Sequence, residues 1–573
     1  MMTARNASAS ACATIVAIWV FFALTGQPAW ADYKDDMGYT ALRTELGAAN
    51  MPNGTGIKVS QVEALYYGLY APNPANGEFT GKTFNLKGSN LGDYSWHAGW
   101  VGTYFYGTTS GLAPGVTTID NYEVADDVTD NNGNVIVHNG AVDYRRGGFL
   151  RYGSYSPPRV ETSRVQSNSW IASFSDPNLI QRFDGAIARD NFVAVVGLNN
   201  GTGNPVPSLM DNSYNAISVG LSNGDHSYGL TTADTPGRMK PDIVASTNGA
   251  YANWTSFTVP MVSGTAADLL QVVDASPALT AGGGGTSETI KAILMAGATT
   301  TWKNQVRSWG RTHTSPLDPV FGAGQLNVYN SYHILTAGPQ PASASATVSP
   351  AGWDFSSLSL TAAPKTYFFD VPAGAALKEF SAILTWNRQI TPSEGNGWMD
   401  TTAYVANFDL KLYSASDYSL GSLVDYSTST VDNVEHIYGS LLPGRYALQV
   451  SNNSTGDDVS TDYALAWRNR PTLPGDVNLD GQVGLLDYNV IKMNFGATNA
   501  TWDMGDLNAD GQVGLLDFNI VKANFGQALS DLGPFLALSP AGGSTPPVNT
   551  VPEPVSLALL LAAWPLLRTP RRP

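Results

Sequence analysis

The sequence predicts a multidomain protein: an α/β domain with a mostly parallel sheet, then an all-β sandwich, then a small helical module. Three observations carry this. Between residues 32 and 338, short apolar β-like runs (Phe192–Val196, Ile217–Val219) alternate with helical stretches (Pro260–Val273, Glu288–Ala296), the pattern of parallel strands linked by helices. Between 346 and 468, apolar segments at 366–371, 382–386, 408–413 and 446–450 are separated by turn residues, with no helix-period stretch between them. Residues 475–487 recur at 505–517, an internal repeat. The chain has 573 residues, more than one domain carries. Its 43% hydrophobic content excludes wholesale disorder, and its net charge of −16 argues against a nucleic-acid partner. Charged residues are only 14%, and 58 Gly with 34 Pro point to long loops and β-rich modules.

The two ends read as addresses. Residues 1–31 place Arg5 before an apolar run, Ala13–Leu24, and finish in Ala29-Trp30-Ala31, a small-x-small cleavage pattern. A signal peptide there removes Cys12, the one cysteine, so the folded protein has no disulfide. At the other end Val551-Pro552-Glu553-Pro554 precedes the apolar stretch 555–567 and the basic residues Arg568, Arg571 and Arg572. Thirteen apolar positions interrupted by Pro565 fall short of the roughly 20 that span a bilayer. The order resembles the PEP-CTERM sorting signal. That resemblance implies export, then cleavage or membrane association at the envelope. The expected layout is a signal at 1–31, the α/β domain at 32–338 and the sandwich at 346–468. The repeat follows at 475–528, then a linker at 529–550 and the sorting segment at 551–573. Gly338-Pro339-Gln340-Pro341 reads as the first inter-domain linker.

Within the α/β part, Trp254-Thr255-Ser256-Phe257-Thr258-Val259-Pro260-Met261-Val262-Ser263-Gly264 puts a hydroxyl at the start of a helix. There the dipole and free N–H groups of the first turn stabilise a developing oxyanion. This segment, with Gly237–Ala245 before it, resembles the nucleophile segment of the subtilisin-like serine peptidases, the subtilases, with Ser256 as nucleophile. His97 in Trp96-His97-Ala98-Gly99-Trp100-Val101-Gly102 resembles the family's general base. The run 54–64 resembles its first strand, which usually ends in Asp; here the position holds Glu63. A carboxylate there fixes the imidazole tautomer and stabilises the imidazolium. Asp93 is the rival acid, four residues before His97. The chain order acid, His, Ser is that of the subtilases, and no G-x-S-x-G elbow surrounds Ser256.

The run 192–201 resembles the strand that ends in the oxyanion amide, which assigns Asn199, with Asn200 as the fallback. Asn215–Gly220 resembles the strand that follows, and Ser167-Asn168-Ser169-Trp170 the strand that pairs with a bound peptide. Trp254 replaces a Gly, Phe257 and Thr258 a Met/Ala-like pair, and Met261 a frequent His. The stretch 32–63 leaves no room for a chaperone-like propeptide. The resemblance covers roughly residues 40–338 and implies a secreted serine endopeptidase acting on polypeptides. The alternative is a catalytically inactive binding or scaffold protein of the envelope.

The repeat supplies oxygen ligands at loop positions 1, 3, 5 and 12, a carbonyl at 7 and Gly at 6, as a Ca²⁺ loop requires. In the first copy these are Asp476, Asn478, Asp480, Gln482 and Asp487; in the second, Asp506, Asn508, Asp510, Gln512 and Asp517. Three carboxylates per loop do not crowd together without a cation. One helix follows each loop (485–495, 515–525). A loop plus one helix, duplicated, resembles a type I dockerin rather than an EF-hand pair. The resemblance implies structural Ca²⁺ and a cohesin-like partner. The pairs Leu485-Leu486 and Leu515-Leu516 fit either a partner surface or packing between the two helices.

Overall fold

The computed structural model describes residues 33–527, apart from 65–69, 89–93, 125–127, 130–134, 137–143, 146–147, 172–175, 204–205, 207–209, 250–252, 303–304, 372–376, 457–458, 472, 479–481 and 509. The signal-peptide, linker 529–550 and sorting-segment readings lie outside the described residues, as does Asp93. No helix among the described residues is long and apolar enough to cross a membrane.

The α/β part is built on seven strands: β1 (Val59–Ala64), β2 (Thr83–Leu86), β3 (Thr118–Val124), β4 (Val165–Asn168), β5 (Val193–Gly197), β6 (Ile217–Leu221) and β7 (Ile243–Ala245). Their order in the sheet is β7-β6-β5-β4-β1-β3-β2, and every pairing is parallel. The strands β4, β5 and β6 are buried at every position, because helices cover both faces of the sheet. The helices that matter most here are α1 (Trp96–Tyr106), α2 (Pro177–Asp190), α3 (Thr255–Asp274) and α4 (Ser287–Gly297). Ser95 starts α1 by accepting the Ala98 N–H at 3.2 Å, and Asp176 caps α2 with Pro177 in its first turn.

The sandwich has two antiparallel four-stranded sheets. One pairs Gly352–Leu358, Thr461–Pro471, Leu377–Trp386 and Val434–Leu441 in that order; the other pairs Lys365–Val371, Gly444–Asn452, Phe408–Ser416 and Ser419–Ser427. Their shared core holds Phe380, Leu384, Trp386, Leu412, Leu448 and Trp467.

The first sheet is buried on both faces. Its outward residues Trp353, Ile383, Val434, Ala464 and Ala466 join the core of the α/β part. This explains why Ala382-Ile383-Leu384 and Ala464-Leu465-Ala466 are unbroken apolar runs where a half-exposed strand alternates. The segment 338–341, expected as a linker, is drawn onto this sheet: Gln340 N donates to Trp353 O at 2.7 Å.

Buried arginines fix the junction. Arg388 follows the strand Leu377–Trp386 and pairs with two acids of the α/β part, through Nε to Asp184 at 2.9 Å and Nη1 to Asp234 at 2.6 Å. Its guanidinium and that of Arg238 both lie against the Tyr214 ring, 4.5 and 3.7 Å from the centroid. Arg468 donates to Ala296 O and Ala298 O at the end of α4, each at 2.8 Å. The hairpin Gln389–Ser393/Gly397–Tyr404 reaches α2, where the Trp398 carbonyl accepts from Arg182 at 2.6 Å.

In the repeat, α5 (Leu485–Asn494) and α6 (Leu515–Asn524) follow the two loops. Their buried faces are Ile491 and Val521, with Tyr488 and Phe518 edge to face. The glycine that opens each repeat packs on the other repeat's helix. Gly475 (φ 99°) would set a Cβ 3.0 Å from Val521 Cα, and Gly505 (φ 103°) one 2.6 Å from Ile491 Cδ1, so neither accepts a side chain. The leucine pairs do not pack between the helices. Leu485, Leu486, Leu515 and Leu516 are 62–65% exposed.

Candidate active site

Beyond the carboxyl ends of β1, β4 and β5 lies a cleft of 270 Å³, where open parallel sheets hold their ligands. Its lining includes His97, Ser169, Trp170, Gly197, Asn200 and Ser256. Glu63, near the end of β1, is fully buried behind His97. Its Oε2 meets His97 Nδ1 at 2.7 Å, and the His97 side chain is 20% exposed. Burial pushes the His97 pKa down, but the charge of Glu63 and the hydrogen bond to it outweigh that and hold it above the ordinary value.

The other Glu63 oxygen is also held. Oε1 accepts from Gln61 Nε2 at 2.8 Å, and the same nitrogen donates to Ala98 O at 3.0 Å. The Tyr106 hydroxyl in turn donates to Gln61 Oε1. Gln61, Glu63 and Tyr106 are all fully buried. Gly102 makes this possible: a Cβ there would lie 2.7 Å from the Tyr106 hydroxyl. Sequence reasoning missed Gln61 and Tyr106. The available signal was a Gln two residues before Glu63, hence on the same face of a strand.

Ser256 sits in the first turn of α3, half-buried. Pro260 has no N–H to return to the Ser256 carbonyl, and the Ser169 hydroxyl donates there instead at 2.9 Å. Trp254, at the N-cap, makes no side-chain cap. Asn200 supplies it from β5's exit loop, its Oδ1 accepting the Thr255 N–H at 2.8 Å. Asn199 is held through its backbone. Its N–H donates to Ser227 Oγ at 3.0 Å and its carbonyl accepts from Ser227 N at 2.8 Å, and Asn200, not Asn199, lines the cleft. His97 and Ser256 share the cleft without a hydrogen bond between them among the described contacts; such bonds are often long before substrate binds.

The other described histidines are occupied structurally. His226 is buried, bonded to Val320 O and Leu221 N, and pushed down to about 4 by burial. His436 is buried in the sandwich, His313 meets Asp425 at 3.1 Å, and His333 meets Glu45 at 3.3 Å. A larger groove of 580 Å³ on the sandwich has no histidine in its lining.

In the second repeat loop, Asp506 accepts from the N–H groups of Asp510 (3.2 Å) and Gly511 (2.8 Å), and Asn508 Oδ1 from Asp510 N at 3.1 Å. Asp510 accepts from Gln512 N at 2.9 Å. The loop therefore folds around its own oxygens, a hard donor set that suits Ca²⁺. Asp517 accepts from Leu507 and Asn508 N–H groups and from Gly514 N, so it ties the loop to the start of α6. Asp487 does the same for Val477, Asn478 and Gly484. Asp476 is fully buried, Gln482 lies in a bridge, and Asp480 lies outside the described residues. Among the described residues no three acidic, His or Cys side chains converge as a metal cluster.

The model of the dockerin type I domain matches residues 474–526. This segment is a type I dockerin domain, and such domains bind calcium and typically bind cohesins. No curated protein matches the chain. Among solved structures, the chain is similar to a protease from Pseudoalteromonas arctica at 15% identity and a TM-score of 0.36, covering 53% of this chain and 98% of that one. Fervidolysin from Fervidobacterium pennivorans, described as a keratinolytic enzyme related to subtilisin, is 12% identical with a TM-score of 0.34, covering 77% and 81%. A Pseudomonas sedolisin, a serine-carboxyl proteinase, is 16% identical with a TM-score of 0.33, covering 52% and 97%. The dockerin segment lies outside the α/β part that carries the cleft.

Proposed function

We propose that this protein is an exported serine endopeptidase whose dockerin segment anchors it to a partner. The observation that carries the reading is the buried Glu63 bonded to His97 Nδ1 at 2.7 Å, with His97 lining a cleft that it shares with a helix-start serine. With Nδ1 held by the carboxylate, His97 Nε2 is the basic nitrogen. It takes the Ser256 Oγ proton as Oγ bonds to the scissile carbonyl carbon. The oxyanion is met by the Ser256 N–H in the first turn of α3 and by the Asn200 amide, whose orientation is set by its Oδ1 bond to Thr255. Asn200 thus takes the role expected of Asn199. The imidazolium, stabilised by Glu63, returns its proton to the leaving nitrogen as the C–N bond breaks. Water then repeats the sequence on the acyl-enzyme.

Calcium would be held by Asp506, Asn508, Asp510, Asp517 and the Gln512 carbonyl, and by Asp476, Asn478, Asp480, Asp487 and the Gln482 carbonyl. Its contribution is to neutralise the loops so that α5 and α6 stay docked. The exposed leucine pairs are the surface for a cohesin-like protein. Export follows from residues 1–31, with envelope association through 551–573.

Fluorophosphonate labelling tests the peptidase reading. Wild type should carry one adduct on Ser256 and digest casein, and Ser256→Ala should do neither. A folded wild type that is neither labelled nor active would leave the inactive scaffold as the answer.

A further inference from the structure

Beside the cleft, against the His97 ring, lies an aromatic cluster that the peptidase reading does not use. Trp96 and Trp254 are 47% and 41% exposed, high for indoles on a folded surface. They directly precede His97 and the Thr255-Ser256 pair, so each is fixed to one catalytic segment. Trp254 stacks on Phe257 with centroids 5.8 Å apart and planes at 10°. Trp96 stands edge-on to both, at 6.3 and 6.2 Å. Buried Phe257 lies against the His97 ring at 5.5 Å. The cluster is therefore continuous with the imidazole.

We infer that Trp96 and Trp254, backed by Phe257, form the leaving-group subsite of the cleft and select an aromatic or large aliphatic residue just after the scissile bond. The inference rests on the peptidase reading. His97 must hand its proton to the departing nitrogen, so the leaving residue passes over the His97 side of Ser256. The indoles reach the His97 ring through Phe257, whereas Asn200 and Trp170 come to the cleft from the ends of β5 and β4. The cluster is built of aromatic rings, so the recognised side chain is apolar. An apolar side chain in such a site discriminates by roughly tenfold or more.

Cleavage of a peptide library by the full chain, read by mass spectrometry, tests this together with acyl transfer. In transfer, an added amine attacks the acyl carbon, the Ser256 Oγ–acyl bond breaks, and the amine proton returns through His97 to Ser256. Wild type should enrich Phe, Tyr, Trp and Leu after the cut and accept phenylalanine amide about tenfold better than glycine amide. Trp254→Gly and Trp96→Ala should each flatten that preference and leave the residues before the cut unchanged. The wild-type transfer ratio stands even if a variant fails to fold. Labelled, active wild type that is indifferent to the leaving residue overturns the subsite alone. Absence of both labelling and cleavage overturns the peptidase reading and the subsite with it.

Discussion

Replacing Glu63 by Gln removes the carboxylate charge that faces His97. The carboxylate is fully buried and 2.7 Å from His97 Nδ1. With charge centres about 4 Å apart and an effective dielectric near 20, the lost attraction for the imidazolium is about 4 kcal/mol. That corresponds to roughly 10³-fold in rate, and an amide that donates to Nδ1 favours the wrong tautomer and adds to the loss. The pH dependence has a definite sign. His97 is raised above its ordinary value because Glu63 outweighs burial; without the charge, burial alone remains and lowers it. A general base works unprotonated, so the acidic limb of kcat/KM should move to lower pH while its plateau falls about a thousandfold. The assay is kcat/KM against pH on a peptide p-nitroanilide, beside a thermal melt showing an intact fold. A folded Glu63→Gln within tenfold of wild type, with its acidic limb unmoved, would refute the role given to Glu63.

Tyr106→Phe and Gln61→Leu each remove one link of the relay behind Glu63. The Gln61 bond ends on the charged Glu63 and is worth roughly 1.5–3 kcal/mol, so kcat of Gln61→Leu should fall about 10- to 100-fold with KM little changed; the Tyr106 bond ends on the neutral Gln61 amide and is worth roughly 0.5–1.5 kcal/mol, a fall of about 2- to 10-fold. Arg388→Ala strips Asp184 and Asp234, both on the α/β side of the domain junction, of their partner from the sandwich; denaturant unfolding should show a loss of about 3–5 kcal/mol. Asp268 in α3 is fully buried with neither carboxylate oxygen hydrogen-bonded, and burial raises its pKa well above the usual range. Its ionisation therefore costs stability increasingly as pH rises above about 3.9, the unfolded value. Asp268→Leu should raise Tm at pH 8 and flatten that slope. Chelation, or Asp506→Ala, should make residues 474–526 labile to an added protease and leave the far larger core of the α/β part and sandwich intact.

The sequence by itself determined whatever depends on local chemistry. The helix starts that carry His97 and Ser256, the strand that ends in Glu63, the strands at 192–196 and 217–219 and the two oxygen-rich loops are each written in a short stretch. Propensity, capping and loop spacing act over a few residues, so these were legible. Tertiary structure decided what depends on where a side chain is turned and what meets it. Asn200 rather than Asn199 reaches the cleft because beyond the last strand residue the two-residue alternation no longer fixes direction, and a distant residue, Ser227, claims the Asn199 backbone. The sandwich is a second wall of the α/β core through Ile383, Ala464 and Ala466, clamped by Arg388 to acids some 150–200 positions earlier. The exposure of the leucine pairs was settled by how Ile491 and Val521 fill the space between the helices. Burial and ion pairing are properties of the assembled surface, and no local pattern encodes them.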